Sequence, residues 1–345
     1  MVLKKTVFSV LDFVPITEGN TTQDAFLASM ELAKHVEDLG FYRYWISEHH
    51  NMPGIASAAT PLVMNFIASA TSSIRVGAGG IMLPNHSPLT VAEQFGTLEA
   101  MYPNRIDLGL GRAPGTDRLT ARALRRGTID ATDFPEDLSE LRSFFEATTT
   151  PKAVRAIPGE GSDIPIWLLG SSDYSARLAA QIGLPFAFAS HFAPTYLMPA
   201  LKLYRDLFKP SDDLKQPRSM AAINVFAADT KEEAERIATS AKLQFLSLIR
   251  NNPGKLPKPV DSMDGFWSKQ EEAVVSAQYE YTIIGTKDDV KREINDFINM
   301  TGVDEVMIIT TAYTLEDRKK TYDIIAQALE IRKENNCYEQ NGIKR

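Results

Sequence analysis

Short runs of apolar residues, rich in β-branched and aromatic side chains, alternate along the chain with longer segments whose apolar residues recur at helical spacing. This alternation predicts βα units around a parallel sheet. Strands are predicted at 7–11, 44–47, 75–83, 105–110, 165–169, 185–189, 220–227 and 305–310. Eight strands favour an α/β fold of the TIM (β/α)8 barrel type, and a doubly wound open sheet is the alternative.

Several predicted helices have recognisable ends. The segment 22–39 carries Phe26, Met30 and Ala33 at helical intervals, and Gly40 is suited to the left-handed position just past a helix. The helices that begin near Thr230 and Thr314 have acidic residues in their first turns, where the helix dipole favours negative charge.

The chain of 345 residues is longer than a minimal barrel. A barrel of eight units takes about 250 residues, so roughly 95 are left for insertions. They are expected at 113–162, after strand four, and at 251–281, before strand eight. Prolines and a glycine in 251–259 exclude a regular element, so we expect a mobile loop that acts as a lid. The whole chain, 1–345, is expected to form a single domain.

Composition narrows the class of protein. Hydrophobic residues make up 44% and charged residues 23% of the chain, which is typical of a globular protein. The net charge of −7 provides no positive field, so nucleic acid is not an expected partner. A single cysteine, Cys337, excludes a disulfide framework, and no run reaches the roughly 18 apolar residues of a membrane span. We expect a cytosolic (cytoplasmic) protein.

An acid and two imidazoles follow the second strand, in the sequence Ser47-Glu48-His49-His50-Asn51. Adjacent residues of an extended chain point to opposite sides, so at most one histidine is expected to face the barrel mouth while the other supports the loop. A hydrogen-bonded structural pair is the alternative to a functional role. No second group of His or Cys residues stands at metal-ligand spacing, so no metal site is expected.

A basic residue and two hydroxyls follow the fourth and fifth strands. Arg112 comes after a glycine-rich strand end, where its guanidinium would hold a phosphate or pair with an acid. Ser172 and Ser175 open a helix, whose N-terminus favours an anion and whose hydroxyls would otherwise serve only as caps. Together, they predict a phosphate site.

The third strand contains three glycines, Gly77, Gly79 and Gly80. Glycine weakens a buried strand, so close approach of another group to this backbone is expected. A flat aromatic ligand and a tightly packed helix are both compatible with this pattern.

The ordered set of these segments resembles the bacterial luciferase-like monooxygenase family, whose members are flavin-dependent TIM barrels. The resemblance rests on Glu48-His49-His50, Leu83-Pro84 to Pro88, Gly109 to Arg112, Ala179 to Pro185, Thr282 to Thr286 and Thr301 to Glu305. The sequence Asn51-Met52-Pro53-Gly54 is more similar to the single-chain luciferase-like oxidoreductases than to luciferase itself.

The resemblance implies roles for individual residues. His49 corresponds to the catalytic imidazole beside the flavin. Arg112, Ser172 and Ser175 correspond to positions that hold the FMN phosphate, in a turn where Ser171 replaces the glutamate of luciferase. Gly79 and Gly80 correspond to a cis peptide behind the flavin. Gly111 replaces a reactive cysteine, which argues against light emission.

The activity that the resemblance implies is that of an FMN-dependent oxidoreductase. A monooxygenase would use O2 and reduced FMN from a separate flavin reductase to oxidise a small organic substrate, such as an aldehyde or ketone. Hydride transfer with F420 or FMN without O2 is one alternative, and a noncatalytic flavin-binding protein is another.

Two further expectations concern surfaces. Small residues in 56–73 permit close helix approach and, as in luciferase, favour a homodimer over ordinary helix packing on the barrel. His191, Phe192 and Trp267 are candidate pocket-lining residues.

Overall fold

The structure is a computed structural model that describes residues 6–113, 115–125, 133–148 and 153–333. Its strands are β1 (Val7–Asp12), β2 (Arg43–Ile46), β3 (Arg75–Met82), β4 (Ile106–Gly111), β5 (Ile166–Gly170), β6 (Phe186–Phe188), β7 (Ser219–Ala227), β8 (Ile283–Gly285) and β9 (Glu305–Ile309). All eight predicted strands are present. Strands β1 to β7 and β9 pair in parallel and in order, and β9 pairs with β1. The sheet therefore closes into a TIM barrel, which confirms the predicted fold and excludes the open sheet.

One strand was not predicted. β7 has nine residues, and its first part pairs with β6 and β9 inside the barrel. Its last three residues, Val225 to Ala227, pair with β8. β8 therefore lies above the barrel rim rather than in the barrel wall. A three-residue strand has too few positions to produce a recognisable alternation.

The helices are α1 (Thr22–Leu39), α2 (Thr60–Ala70), α3 (Pro88–Met101), α4 (Arg118–Arg125), α5 (Phe134–Phe145), α6 (Asp173–Ile182), α7 (Leu197–Leu207), α8 (Lys231–Ile249), α9 (Lys269–Gln278), α10 (Lys287–Thr301) and α11 (Leu315–Leu329). α1 ends at Gly40, as predicted. Thr230 and Thr314 cap α8 and α11 by accepting hydrogen bonds from the first turns. Across the described ranges, no helix combines the length and apolar character needed to span a bilayer.

Both predicted insertions are present. The first contains α4 and α5. In the second, 251–259 has no helix or strand, as predicted, but the rest is not all loop, because α9 forms after a capping box at Ser268. The loop is attached to the barrel top, where the N–H of Leu256 donates to the carbonyl of Ile16 at 2.8 Å. The hydrophobic pattern of 251–281 is too weak to show α9.

The barrel interior at the amino ends of the strands holds charged side chains. Arg43 is 1% exposed and donates to Asp107 and to Glu305, each at 2.7 Å. Arg75 also donates to Asp107, at 2.7 Å. Every one of these buried charges has an opposite charge beside it. Burial opposes ionisation of Asp107, but Arg43 and Arg75 outweigh it and lower its pKa.

Candidate functional site

A cavity of about 460 Å³ opens at the carboxyl ends of the strands. This is the end at which parallel barrels bind their ligands. The predicted site residues on its wall are His49, Gly79, Arg112, Ser171, Ser172 and Ser175. Gly80 is buried behind the wall and is joined to Gly79 by a cis peptide bond. The structure thus brings six of the seven predicted site residues to one cavity.

The predicted phosphate group of residues is assembled at one edge of this cavity. The guanidinium carbon of Arg112 lies 3.9 Å from the ring centroid of Tyr174, in the first turn of α6. No acidic residue within the described ranges pairs with Arg112, so the salt-bridge alternative is not observed. The side chain of Ser172 precedes α6 but makes no capping hydrogen bond. The hydroxyls and the free N–H groups of the helix therefore remain available to an anion.

Gly170 allows the start of α6 to approach the end of β5. A Cβ atom on Gly170 would lie 2.6 Å from the Cβ of Ser175. Any larger residue would push the first turn of the helix away from the strand end. The glycine therefore shapes the edge of the cavity where Arg112 and the serines meet.

The glycines of β3 face the barrel interior and the next strand. A Cβ on Gly79 would lie 2.7 Å from Leu11 and 3.0 Å from Trp45, and one on Gly80 would lie 2.7 Å from the carbonyl of Gly109. The register between β3 and β4 shifts at this point. Tight helix packing is therefore not the reason for these glycines, whereas Gly79 does lie on the cavity wall.

The side chains of the two adjacent histidines point to different surroundings, as predicted. His49 lines the cavity, and its Nδ1 lies 3.2 Å from the hydroxyl of Ser47. Nε2 of His50 instead lies 2.9 Å from the carboxylate of Glu48. One histidine therefore faces the ligand space and the other supports the loop.

Glu48 connects the loop after β2 to the turn after β3. It accepts hydrogen bonds from the backbone N–H of Met82 at 3.1 Å and from Nε2 of His86 at 2.9 Å. Burial would raise the pKa of Glu48, but the bonds from His50 and His86 outweigh it and lower the pKa to about 2. His86 was not predicted to belong here. The ligand atoms of Glu48, His50 and His86 lie within 4.8 Å of one another, and hydrogen bonds account for that arrangement.

A second imidazole, that of His191, also lines the cavity. The ring of Phe13 contacts both histidines, with centroid distances of 5.6 Å to His49 and 5.8 Å to His191. Burial lowers the pKa of His49 to about 4, and burial together with His49 lowers the pKa of His191 to about 3. Both imidazoles are therefore neutral near pH 7.

The second insertion and α8 form another part of the cavity wall. Gln244, Phe245 and Leu248 of α8 line the cavity together with Pro253, Gly254, Gln278 and Tyr279. The side-chain amide of Gln278 donates to the carbonyls of His191 and Phe192 at 2.7 and 2.9 Å. His191 and Phe192 thus line the pocket as expected, whereas Trp267 is not part of its wall.

Known proteins with similar sequences point to the same family as the sequence motifs. The family model of the luciferase-like monooxygenases matches residues 6–305. The chain is 52% identical to the uncharacterized protein YvbT of Bacillus subtilis (strain 168), over 94% of this chain and 96% of that protein. It is 47% identical to a luciferase-like monooxygenase of Escherichia coli (strain K12), over 96% and 98%. It is 31% identical to the N-acetyl-S-alkylcysteine monooxygenase of Bacillus subtilis (strain 168), over 93% and 97%.

Solved structures share the fold. Apo-MsnO8 is 31% identical, with a TM-score of 0.84 over 95% of this chain and 99% of that one. The oxygenating constituent of 3,6-diketocamphane monooxygenase of Pseudomonas putida, in complex with FMN, has a TM-score of 0.69 at 17% identity, over 93% and 97%. An F420-dependent secondary alcohol dehydrogenase has a TM-score of 0.64 at 16% identity, over 94% and 99%. The family model and the relatives together show that the chain belongs to the luciferase-like monooxygenase family.

Proposed function

We propose that the protein is an FMN-dependent oxidoreductase, specifically a monooxygenase that uses reduced FMN and O2 to oxidise a small organic substrate of the aldehyde or ketone class. The observation that carries this proposal is the meeting of Arg112, the start of α6 and His49 on one cavity at the carboxyl ends of the strands. The family supplies the oxidoreductase class. Because FMN-bound and F420-dependent proteins share this fold, the fold alone does not choose between the two cofactors.

The residues of the cavity fit FMN. The guanidinium of Arg112, the hydroxyls of Ser171, Ser172 and Ser175 and the free N–H groups of α6 provide a donor set for a phosphate dianion. Gly79 lies on the cavity wall and has no side chain, which supports close approach of an aromatic ring to its backbone. When bound in its reduced form, the flavin would supply the reaction with O2, and the protein would supply binding, orientation and exclusion of water.

His49 is the proposed catalytic residue. Its Nδ1 is near the hydroxyl of Ser47, which leaves Nε2 to hold or move a proton in the cavity. Its lowered pKa makes it a neutral imidazole in the working range, so it would act as a hydrogen-bond partner or a weak base.

We assign the segment 251–281 to the exclusion of water. Pro253, Gly254, Gln278 and Tyr279 line the cavity, and Gln278 donates to the carbonyl of His191, which lines it as well. The hydrogen bond from Gln278 to the carbonyl of His191 fixes this part of the wall to the turn after β6, and the arrangement supports a lid that covers the reacting atoms.

The proposed partners are a flavin reductase that supplies reduced FMN and a second copy of this chain. α2 exposes Leu62 at 73% and Phe66 at 36%, which supports a homodimer through the segment 56–73. Light scattering measures the oligomeric state of the protein directly, and a monomeric mass would exclude the dimer.

The test begins with a titration of the protein with FMN, reduced FMN and F420, followed by flavin absorbance. Arg112→Ala should weaken FMN binding about 10- to 100-fold, because it removes charge-assisted hydrogen bonds. Arg142→Ala, which removes the same charge from an exposed pair with Asp213, is the control and should bind FMN like the wild type. Binding of F420 in preference to FMN would contradict the cofactor.

Uptake of O2 with reduced FMN and substrate then separates oxygenation from hydride transfer. His49→Ala should retain FMN binding and lower turnover about a hundredfold or more. Unchanged turnover in this variant would favour a flavin-binding protein instead.

A further inference from the structure

The two ends of the cavity differ in charge. Among the described residues of its wall, Arg112 is the one charged side chain, and it stands at the phosphate edge. The end formed by α8 and the second insertion has apolar side chains such as Phe245 and Leu248, and uncharged amides such as Gln244. A carboxylate moved from water into such surroundings without a partner would lose much of its hydration energy.

His191 is the exception to this apolar wall. Its ring lines the cavity, and its Nδ1 is buried without a hydrogen-bond partner among the residues that the structure describes. Buried polar atoms in folded proteins are nearly always paired, so an unpaired imidazole beside a cavity points to a ligand. The residue is not loosely held, because Gln278 donates a hydrogen bond to its backbone carbonyl at 2.7 Å.

The nearby groups do not give His191 a positive charge. Its close neighbours are the ring of Phe13 and the imidazole of His49, and no carboxylate of the described chain bonds to it. A neutral imidazole offers one N–H donor and one acceptor nitrogen. It is suited to a carbonyl or hydroxyl group and offers no countercharge to an acid.

We propose that this end of the cavity binds an uncharged, mainly apolar substrate with a single polar group, and that the imidazole of His191 holds that group by a hydrogen bond. The inference rests on the proposed function, since the flavin is taken to occupy the phosphate edge. It deepens that function by defining the substrate class: neutral carbonyl or hydroxyl compounds are accepted, and carboxylates at this end are rejected.

Three matched probes test the inference by calorimetric titration of the FMN-saturated protein. The first is methyl hexyl ketone. The second is the same ketone with a carboxylate at the far end of its chain. The third is the alkene in which a methylene group replaces the carbonyl oxygen, which keeps the shape and removes the acceptor. We expect the ketone to bind about tenfold more tightly than its carboxylate counterpart, or better.

The role of His191 is tested with two substitutions. His191→Phe should weaken ketone binding about three- to tenfold and leave alkene binding unchanged, because the ring volume remains and the hydrogen bond is lost. His191→Gln keeps a donor and an acceptor and should retain most of the ketone affinity. His35→Phe, on the outer face of α1, is the control and should bind all three probes like the wild type.

The outcomes are distinct. Equal loss of ketone and alkene affinity in His191→Phe would overturn the hydrogen bond, and preferred binding of the carboxylate probe would overturn the neutral substrate class. Failure of the wild type to bind either FMN or F420 would defeat the proposed function instead. The comparison of ketone with alkene, repeated on the flavin-free protein, would then still test His191.

Discussion

The two ends of the barrel treat polar groups in opposite ways. At the amino end, Arg43 is enclosed and has carboxylates on two sides, Asp107 and Glu305, each at 2.7 Å. At the carboxyl end, His49 and His191 are half-buried and neutral, and the buried Nδ1 of His191 has no partner among the described residues. The amino end thus holds ionised side chains in direct ion pairs, whereas the carboxyl end places a neutral imidazole with an unpaired nitrogen on the wall of the cavity.

The largest expected effect comes from breaking the paired end. Arg43→Met leaves Asp107 and Glu305 buried without their shared cation, which should lower the free energy of unfolding by about 3–5 kcal/mol. Urea denaturation measures the loss. Arg142→Met breaks an exposed pair and should cost less than about 1 kcal/mol. Equal losses of unfolding free energy in the two variants would show that the buried network contributes no more to stability than a surface pair.

The two imidazoles at the carboxyl end should make the free energy of unfolding depend on pH. The pKa values of His49 and His191 are lowered to about 4 and about 3, from 6.5. Below pH 6.5 the unfolded chain therefore binds protons that the folded protein does not, so stability falls as the pH falls toward these values. Between pH 6.5 and 5.5, the two groups together should cost roughly 2 kcal/mol.

Urea denaturation at the two pH values checks this expectation. In a double variant, His49→Gln with His191→Gln, most of the difference in free energy of unfolding between the two pH values should disappear. The single variant His35→Gln removes an outer histidine and should keep it. A double variant with the full pH dependence would contradict the lowered pKa values of these imidazoles.

The smallest effect concerns the connection between the second insertion and the rim. Gln278→Met removes two hydrogen bonds to the carbonyls of His191 and Phe192 and should cost about 1 kcal/mol of stability or less, because the site is partly exposed. Faster amide exchange confined to residues near 191–193 is expected. Gln181→Met, at an exposed position of α6, is the control, and equal exchange in both variants would mean that Gln278 does not hold the turn.

Features set by local pattern were predictable from the sequence. The eight barrel strands follow from apolar runs, and the division of labour between His49 and His50 follows from the alternation of side chains along an extended chain. The assembly of Arg112 with the start of α6 follows from the rule that polar groups after neighbouring parallel strands meet at one end.

Features set by distant contacts were not predictable. His86 reaches Glu48 only because the turn after β3 folds back beneath the loop after β2, and no spacing in the sequence encodes that meeting. The charges of Arg43 and Glu305 could have been noticed, since each begins a buried strand. Their pairing, however, depends on barrel closure. α9 and β8 are short and have weak hydrophobic patterns, so their formation depends on tertiary contacts.

The extension of β7 above the rim divides the chain into two parts that can change separately. β8 and the helices beside it are attached to this extension, so one wall of the cavity stands on its own support outside the ring of eight strands. Replacements between 231 and 281 can therefore alter which molecules are accepted without disturbing the part of the wall that carries Arg112 and the first turn of α6. A protein built in this way can acquire new substrates during evolution while its machinery for the shared cofactor is inherited intact.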